Sequence, residues 1–198
     1  MFLSILKSNA SEKIDVYLMH SKLTDEEISQ VTQGFPKTQM ELHPIQIDDK
    51  DISEFPITNR YPTEIYYRIF AAKFLPENLD RILYLDPDLI VRGPLSELYN
   101  LEMGNAFYAA ASHVQKPLQV LNKIRLSMEE EGPYINSGVL LMNLELLRQE
   151  QDMNEVFEYV ERKKLSLILP DQDIISGLYP NKIIEINTYM YNMTEKLL

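Results

Sequence analysis

The sequence contains no cysteine and no tryptophan among its 198 residues. The absence of cysteine excludes disulfide bonds and thiolate metal sites, and it fits a cytoplasmic protein. No apolar run reaches the roughly 18 residues that cross a bilayer. Basic residues are also scarce, because 19 Lys and Arg stand against 30 Asp and Glu and leave a net charge of −11. Nucleic-acid binding depends on clustered Lys and Arg, so no nucleic acid is expected as a partner.

The length and the composition of the chain favour one globular domain that occupies residues 1–198. A chain of this length that is 45% hydrophobic can bury one sizeable core. Strand-like apolar segments alternate with helical segments, which predicts an α/β fold with a mainly parallel sheet flanked by helices. Ligands of such sheets bind at the carboxyl ends of the strands. Strands are predicted at 14–20, 43–48, 81–85, 89–93, 106–112, 138–143 and 182–187. Helices are predicted at 1–9, 23–35, 62–76, 144–164 (as one helix or as two with a break) and 171–179.

Two aspartates stand at the end of the strand "RILYL". Asp86 and Asp88 bracket Pro87, which cannot donate a ladder hydrogen bond and therefore ends the strand or makes it bulge. Residues i and i+2 of an extended segment point to one side, so the two carboxylates converge and repel unless a cation lies between them. Oxygen ligands favour Mg²⁺ or Mn²⁺. The alternative is an Asp-Pro turn in which Asp86 bonds its own backbone.

Three further motifs place polar groups beside predicted strands and helices. Arg68 could clamp a diphosphate or a sugar hydroxyl, or it could form a plain surface pair with Glu64 one turn earlier. The tripeptide 136–138, Asn-Ser-Gly, could bring an amide to a ligand or form a simple turn. In residues 171–173, Asp-Gln-Asp, the first aspartate could be only a helix cap. The three histidines (His20, His43 and His113) lack the spacing of a zinc site and are interpreted as structural or surface residues.

The order and spacing of these motifs resemble glycosyltransferase family eight, the retaining family that includes bacterial lipopolysaccharide galactosyl- and glucosyltransferases and glycogenin. The similar blocks are "RYPTEIYYRIFAAKFLPENLDRILYLDPDLIVRGPLSELYNLEMGN", "YINSGVLLMNLELLR" and "PDQDIIS", and the resemblance covers nearly the whole chain. It implies a GT-A fold, Rossmann-like, that binds a UDP-sugar with Mn²⁺ or Mg²⁺. It also implies transfer of galactose or glucose to a saccharide acceptor in lipopolysaccharide or other cell-surface glycan synthesis.

The resemblance assigns roles to the motif residues. It implies that Asp86 and Asp88 hold the metal, that Asp86 also contacts the ribose, and that Arg68 lies near the donor sugar. It further implies that the segment of Asn136 and Ser137 contacts the sugar. Asp171 and Gln172 match the family's residues that lie beside the anomeric carbon of the donor sugar. Because an amide is a poor nucleophile, we expect front-face departure and attack rather than a covalent intermediate.

The sequence also departs from the family pattern at both ends. The family's first strand, which cups the uracil and ribose, is missing, and so is its C-terminal region with a metal-ligating His, a phosphate-binding Lys and a basic, aromatic membrane-docking tail. We therefore expect an incomplete catalytic domain. Its open strand edges predict self-association, and membrane association is expected only through the missing tail. Two alternatives stay open, a non-catalytic remnant that binds nucleotide-sugar or metal, and a decayed gene product with no ligand.

Overall fold

The structure is a computed structural model that describes residues 1–48, 50, 64–113, 116–128 and 132–194. The described residues fall into two compact units, which divide as Met1–Glu54 with Pro87–Glu97 and Phe55–Asp86 with Leu98–Leu198. Within those ranges no helix has both the length and the apolar character of a membrane span. The sequence-based prediction of one catalytic domain over residues 1–198 stays a prediction.

The first unit contains a parallel strand pair and two helices. Its elements are α1 (Phe2–Ser8), β1 (Ile14–His20), α2 (Asp25–Thr32) and β2 (Met40–Gln46). The register of β1 and β2 places Ile14 opposite Met40 and runs without a bulge to the end of both strands. Thr24 and Glu27 form the predicted capping box, since the Thr24 side chain accepts from the Glu27 amide and Glu27 accepts from the Thr24 amide. The sequence therefore sets the start of α2 locally.

The second unit contains a four-stranded sheet in the order β3, β5, β4, β6. Strands β4 and β6 are parallel, whereas β5 runs antiparallel to both β3 and β4. The strands are β3 (Arg81–Leu85), β4 (Tyr108–Ala111), β5 (Val139–Asn143) and β6 (Ile183–Ile186). The helices are α3 (Glu64–Ile69), α4 (Ala71–Phe74), α5 (Ser96–Tyr99), α6 (Lys116–Leu126), α7 (Leu144–Glu150), α8 (Met153–Lys163), α9 (Pro170–Leu178) and α10 (Thr188–Tyr191). The first two residues of α5 belong to the first unit.

The core of the second unit lies on β4 and β5. All four residues of β4 and the first four of β5 are buried, which explains why both read as continuous apolar runs. Because β3 and β5 are antiparallel, the end of β3 and the start of β5 meet at one edge of the sheet, where the Asp86 amide donates to the Gly138 carbonyl over 2.8 Å. This pairing brings two of the predicted motifs together.

Three element predictions are corrected by the structure. The helix predicted at 62–76 is interrupted at Phe70, where the Lys73 amide donates to the carbonyl three residues back, and its residues 62 and 63 lie outside the described part. The predicted strand 89–93 does not form. Its Val91 amide donates to the Ser4 hydroxyl and its carbonyl accepts from Ser8, so side chains satisfy this backbone instead of a neighbouring strand. Helix α6 was not predicted.

The other predicted elements are confirmed to within a few residues at their ends. The segment 144–164 forms two helices, α7 and α8, as the possible break anticipated. The break falls at Gln151 and Asp152, and the Asp152 side chain caps α8 by accepting from the Asn154 amide over 2.8 Å. The α/β class is confirmed.

Candidate functional site

Arg68 is the centre of a polar cluster in the second unit. Its side chain, only 17% exposed, donates from Nη1 to Ser137 Oγ over 2.9 Å and to the Asp171 carboxylate. Its Nη2 donates to Asp86 Oδ1 over 2.7 Å and to the Tyr84 hydroxyl. No hydrogen bond or ion pair links it to Glu64 among the described residues. The surface-pair alternative is therefore wrong, and a half-buried guanidinium connects α3, β3, α9 and the segment before β5.

Tyr84 belongs to the same cluster and was missed by the sequence analysis. Its hydroxyl donates to Asp86 Oδ1 over 2.7 Å, and the Arg68 guanidinium lies 4.2 Å from the centre of its ring. Burial raises the pKa of Tyr84 above its usual range, so the hydroxyl stays protonated and keeps donating. The spacing along the strand could have revealed it, because Tyr84 stands two residues before Asp86 in an extended segment and so points to the same side.

A second group of amides lies next to the cluster. Gln172 Oε1 accepts from Asn136 Nδ2 over 2.9 Å and from the Ser137 amide over 3.2 Å. Asn136 Oδ1 accepts from the Gly138 amide over 3.0 Å and from Asn192 Nδ2 over 2.8 Å. The simple-turn alternative for 136–138 is thus incomplete, because its side chains connect α9 to the segment after α10. Asn192, which the sequence analysis did not select, is buried here.

Gly138 has a steric reason to be glycine. A Cβ at this position would lie 2.9 Å from Asp86 Oδ2 and 3.0 Å from Asn136 Oδ1. Both side chains are held by other bonds, Asp86 through its other oxygen, Oδ1, to Arg68 and Asn136 through Oδ1 to Asn192, so neither can withdraw freely. The absence of a side chain at Gly138 therefore lets the carboxylate and the amide approach each other.

A buried ion pair fixes the first turn of α9, which carries Asp171 and Gln172. The side chain of Asp173 is fully buried, and its two oxygens accept from Arg125 Nη1 and Nη2 over 2.8 and 2.7 Å. Tyr134 Oη donates to the same carboxylate over 2.7 Å, and the amides of residues 168 and 169 donate over 2.6 and 3.1 Å. Five donors saturate one carboxylate, so Asp173 anchors the helix start rather than facing a ligand.

A family model described as glycosyl transferase family 8 matches residues 1–198. The chain belongs to glycosyltransferase family 8. A lipopolysaccharide 1,2-glucosyltransferase of Escherichia coli is 30% identical over 179 residues, which are 89% of this chain and 52% of that protein. A lipopolysaccharide 1,3-galactosyltransferase of Salmonella typhimurium is 26% identical over 69% of this chain and 42% of its own length. The chain thus spans about half the length of the curated relatives that it matches.

Solved structures confirm the GT-A fold that the sequence predicts. Galactosyltransferase LgtC, solved in complex with donor and acceptor sugar analogs, superposes with a TM-score of 0.81 at 24% identity. The match covers 94% of this chain and 67% of that one. Glycosyltransferase GlyE of Streptococcus pneumoniae TIGR4 gives a TM-score of 0.65 at 22% identity, covering 94% of this chain and 41% of that one. At these identities the likeness establishes the fold alone.

Family membership raises the question of whether Asp86 and Asp88 suit a divalent cation. Asp88 lies in an exposed turn, with no hydrogen bond or ion pair to any described residue, so its carboxylate is available. Asp86 uses Oδ1 for Arg68 and Tyr84 and keeps Oδ2, the oxygen that lies towards Gly138. Two carboxylates with free oxygens fit a hard divalent ion. No described third ligand accompanies them, so this donor set is incomplete.

A three-ligand grouping does occur in the described chain, at residues that the sequence analysis did not select. Asp15, Glu41 and His43 bring their ligand atoms within 4.8 Å of one another. The sequence analysis interpreted His43 as structural or surface because it has no zinc-site spacing. The grouping arises from strand pairing, since β1 and β2 align Asp15 with Glu41 although the two are far apart in the sequence. Spacing along the chain could not reveal it.

Proposed function

We propose that this chain is the donor-binding part of a retaining glycosyltransferase, which transfers galactose or glucose from a UDP-sugar to a saccharide acceptor in lipopolysaccharide or related cell-surface glycan synthesis. The observation that carries the proposal is the cluster around Arg68, where six predicted site residues from four separate segments meet in one hydrogen-bonded network. The names of the relatives support the substrate class. A cytoplasmic location remains part of the proposal.

An unused donor in the cluster supports ligand binding. Arg68 Nε is buried and has no hydrogen-bond partner among the described residues. A buried donor left unsatisfied costs about 1–3 kcal/mol. A buried polar group without a partner calls for an explanation, and a bound molecule that supplies the acceptor is one. A sugar hydroxyl or a phosphate oxygen of the donor would satisfy this N–H.

The charges of the cluster explain why a cation belongs to the proposal. Asp86 and Asp171 outnumber Arg68, so the cluster carries a net negative charge before Asp88 is counted. A diphosphate approaching it would be repelled. We propose that Asp86 and Asp88 hold Mn²⁺ or Mg²⁺, which when bound would stabilise the charge that develops on the departing UDP.

The contacts of α9 favour front-face transfer. Gln172 Oε1 already accepts two hydrogen bonds, from Asn136 and from the Ser137 amide, so it has little electron density to offer an anomeric carbon. Asp171 Oδ2 is bound by Arg68 and accepts from Ser137 Oγ over 2.5 Å. Both side chains are therefore held as positioning and charge-stabilising groups. We propose that UDP departs and the acceptor attacks on the same face of the sugar.

Calorimetric titration of UDP tests the donor site. Binding is expected with Mn²⁺, and it is expected to be lost in EDTA and in Asp88→Ala. Asp80→Ala is the matched control, because Asp80 is 70% exposed and, among the described residues, its carboxylate pairs only with Arg81 at 3.6 Å. Binding without sugar transfer would favour the non-catalytic remnant. Absence of UDP binding under every condition would refute the donor-site proposal for this chain.

Mass spectrometry tests the front-face route. The chain is incubated with UDP-galactose or UDP-glucose without an acceptor, and its intact mass is then measured. An unchanged mass is expected, since Gln172 Oε1 already accepts two hydrogen bonds and the Asp171 carboxylate is paired with Arg68. A stable increase of one hexose on Asp171 or Gln172 would refute the front-face route while leaving UDP-sugar binding intact.

A further inference from the structure

Asp15, Glu41 and His43 form a compact group on the paired strands β1 and β2, apart in sequence from every residue of the Arg68 cluster. The parallel register sets Asp15 opposite Glu41 and Tyr17 opposite His43. Side chains two apart along a strand share one face, so all four lie on the same side of the pair. One oxygen from each carboxylate and one imidazole nitrogen lie within 4.8 Å of one another.

Two contacts orient the imidazole of His43 before any ligand binds. Its Nε2 lies 3.0 Å from Asp15 Oδ1. Its ring stacks on Tyr17, with ring centres 4.9 Å apart and planes inclined by 21°. The His43 and Asp15 side chains remain 35% and 45% exposed, so an ion can reach them from solvent. The group is therefore both held in position and accessible.

We infer that Asp15, Glu41 and His43 bind a divalent transition-metal ion such as Zn²⁺. One imidazole nitrogen and two carboxylate oxygens are ligands that zinc accepts, and three protein ligands leave a position for water. The imidazole favours zinc over the Mg²⁺ or Mn²⁺ expected at all-oxygen sites. The two carboxylates match the charge of the ion. The bound ion joins β1 to β2 through side chains, in addition to their backbone ladder.

The ammonium group of Lys13 competes with a metal ion for the Glu41 carboxylate. Its Nζ lies 3.3 Å from Glu41 Oε2, and both side chains are more than half exposed. This ammonium satisfies Glu41 when no ion is bound, and it repels an incoming cation. Removal of Lys13 should therefore strengthen metal binding. If Lys13 and Glu41 formed a surface ion pair with no metal site beside it, removing Lys13 would leave metal binding unchanged.

The test is a Zn²⁺ titration of the untagged, chelator-stripped chain, read by competition with a chromogenic chelator. All variants carry Asp88→Asn, so that the metal proposed for donor binding does not contribute. We expect one Zn²⁺ per chain. Loss of an outer-sphere partner alone weakens metal sites by about 10–100-fold, so His43→Gln should weaken binding by at least about tenfold. Lys13→Gln should strengthen it by roughly twofold to fivefold.

Thermal unfolding gives a readout that does not depend on the chelator. Saturating Zn²⁺ should raise the Tm of the parent and of Asp80→Asn, because an ion that binds only the folded state stabilises it by mass action. It should raise the Tm of His43→Gln by less than that of the parent, and circular dichroism checks that this variant is folded. Equal Zn²⁺ affinity of parent and His43→Gln would overturn the site, as would no binding to the parent. No change on Lys13→Gln would remove Glu41 from the ligand set.

Discussion

The ion pair between Arg125 and Asp173 should be the largest single electrostatic contribution to the stability of the second unit that the described contacts reveal. Asp173→Ala removes a fully buried carboxylate and leaves the Arg125 side chain, 17% exposed, without its partner. Removing one member of a buried pair typically costs about 3–5 kcal/mol. Small proteins are stable by only about 5–15 kcal/mol, so this change removes about a fifth or more of the total. For a chain of this size it corresponds to a fall in Tm of roughly 6–20 °C.

Hydrogen bonding to Asp173 also raises the pKa of Arg125, so the guanidinium stays charged at every workable pH and cannot escape the loss by deprotonation. The assay is urea unfolding of four proteins, the parent, Arg125→Ala, Asp173→Ala and the double variant. We expect the double variant to be far less destabilised than the sum of the single variants, because it leaves no charge unpaired.

The control is Glu161→Ala, whose pair with Lys164 has both side chains more than half exposed and should contribute at most about 1 kcal/mol. Coupling between Arg125 and Asp173 would be refuted if the losses of unfolding free energy of the two single variants summed, to within about 0.5 kcal/mol, to that of the double variant. It would also be refuted if Asp173→Ala cost no more than Glu161→Ala.

Three other predictions follow from the described contacts. Thr24→Ala breaks the capping box and should cost about 1 kcal/mol in urea unfolding, whereas Thr32→Ala, at the other end of α2, should cost less. Gly138→Ala should weaken UDP binding with little change in fold, because its Cβ displaces the Asp86 carboxylate; unchanged affinity would contradict this steric role. Burial raises the pKa of Tyr159 to about 12, so the phenol of the unfolded chain loses its proton at a lower pH than that of the folded chain. The free energy of unfolding should therefore fall as the pH rises from about 10 to 12. Tyr159→Phe should make this fall less steep, and an unaltered pH profile would contradict the prediction.

The family and the class of fold could be inferred from the sequence alone, and so could most of the residues that meet in the Arg68 cluster. Strand and helix segments were readable because their periodicities are local, and the cap of α2 depends on two residues three apart. Asp86, Asn136 and Asp171 were selected because each stands beside the end or start of a predicted element, and Arg68 because it is the basic residue of a predicted helix. Antiparallel β3 and β5 then bring Asp86 and the segment of Asn136 to one edge.

Tertiary structure decided the rest, because it depends on pairings between distant segments. Whether Arg68 pairs with Glu64 or with two aspartates is an energetic competition that only packing resolves. The segment 89–93 has the composition of a strand but meets the hydroxyls of α1 instead of a strand edge. The group of Asp15, Glu41 and His43 exists only through the register of β1 with β2, which no local pattern specifies.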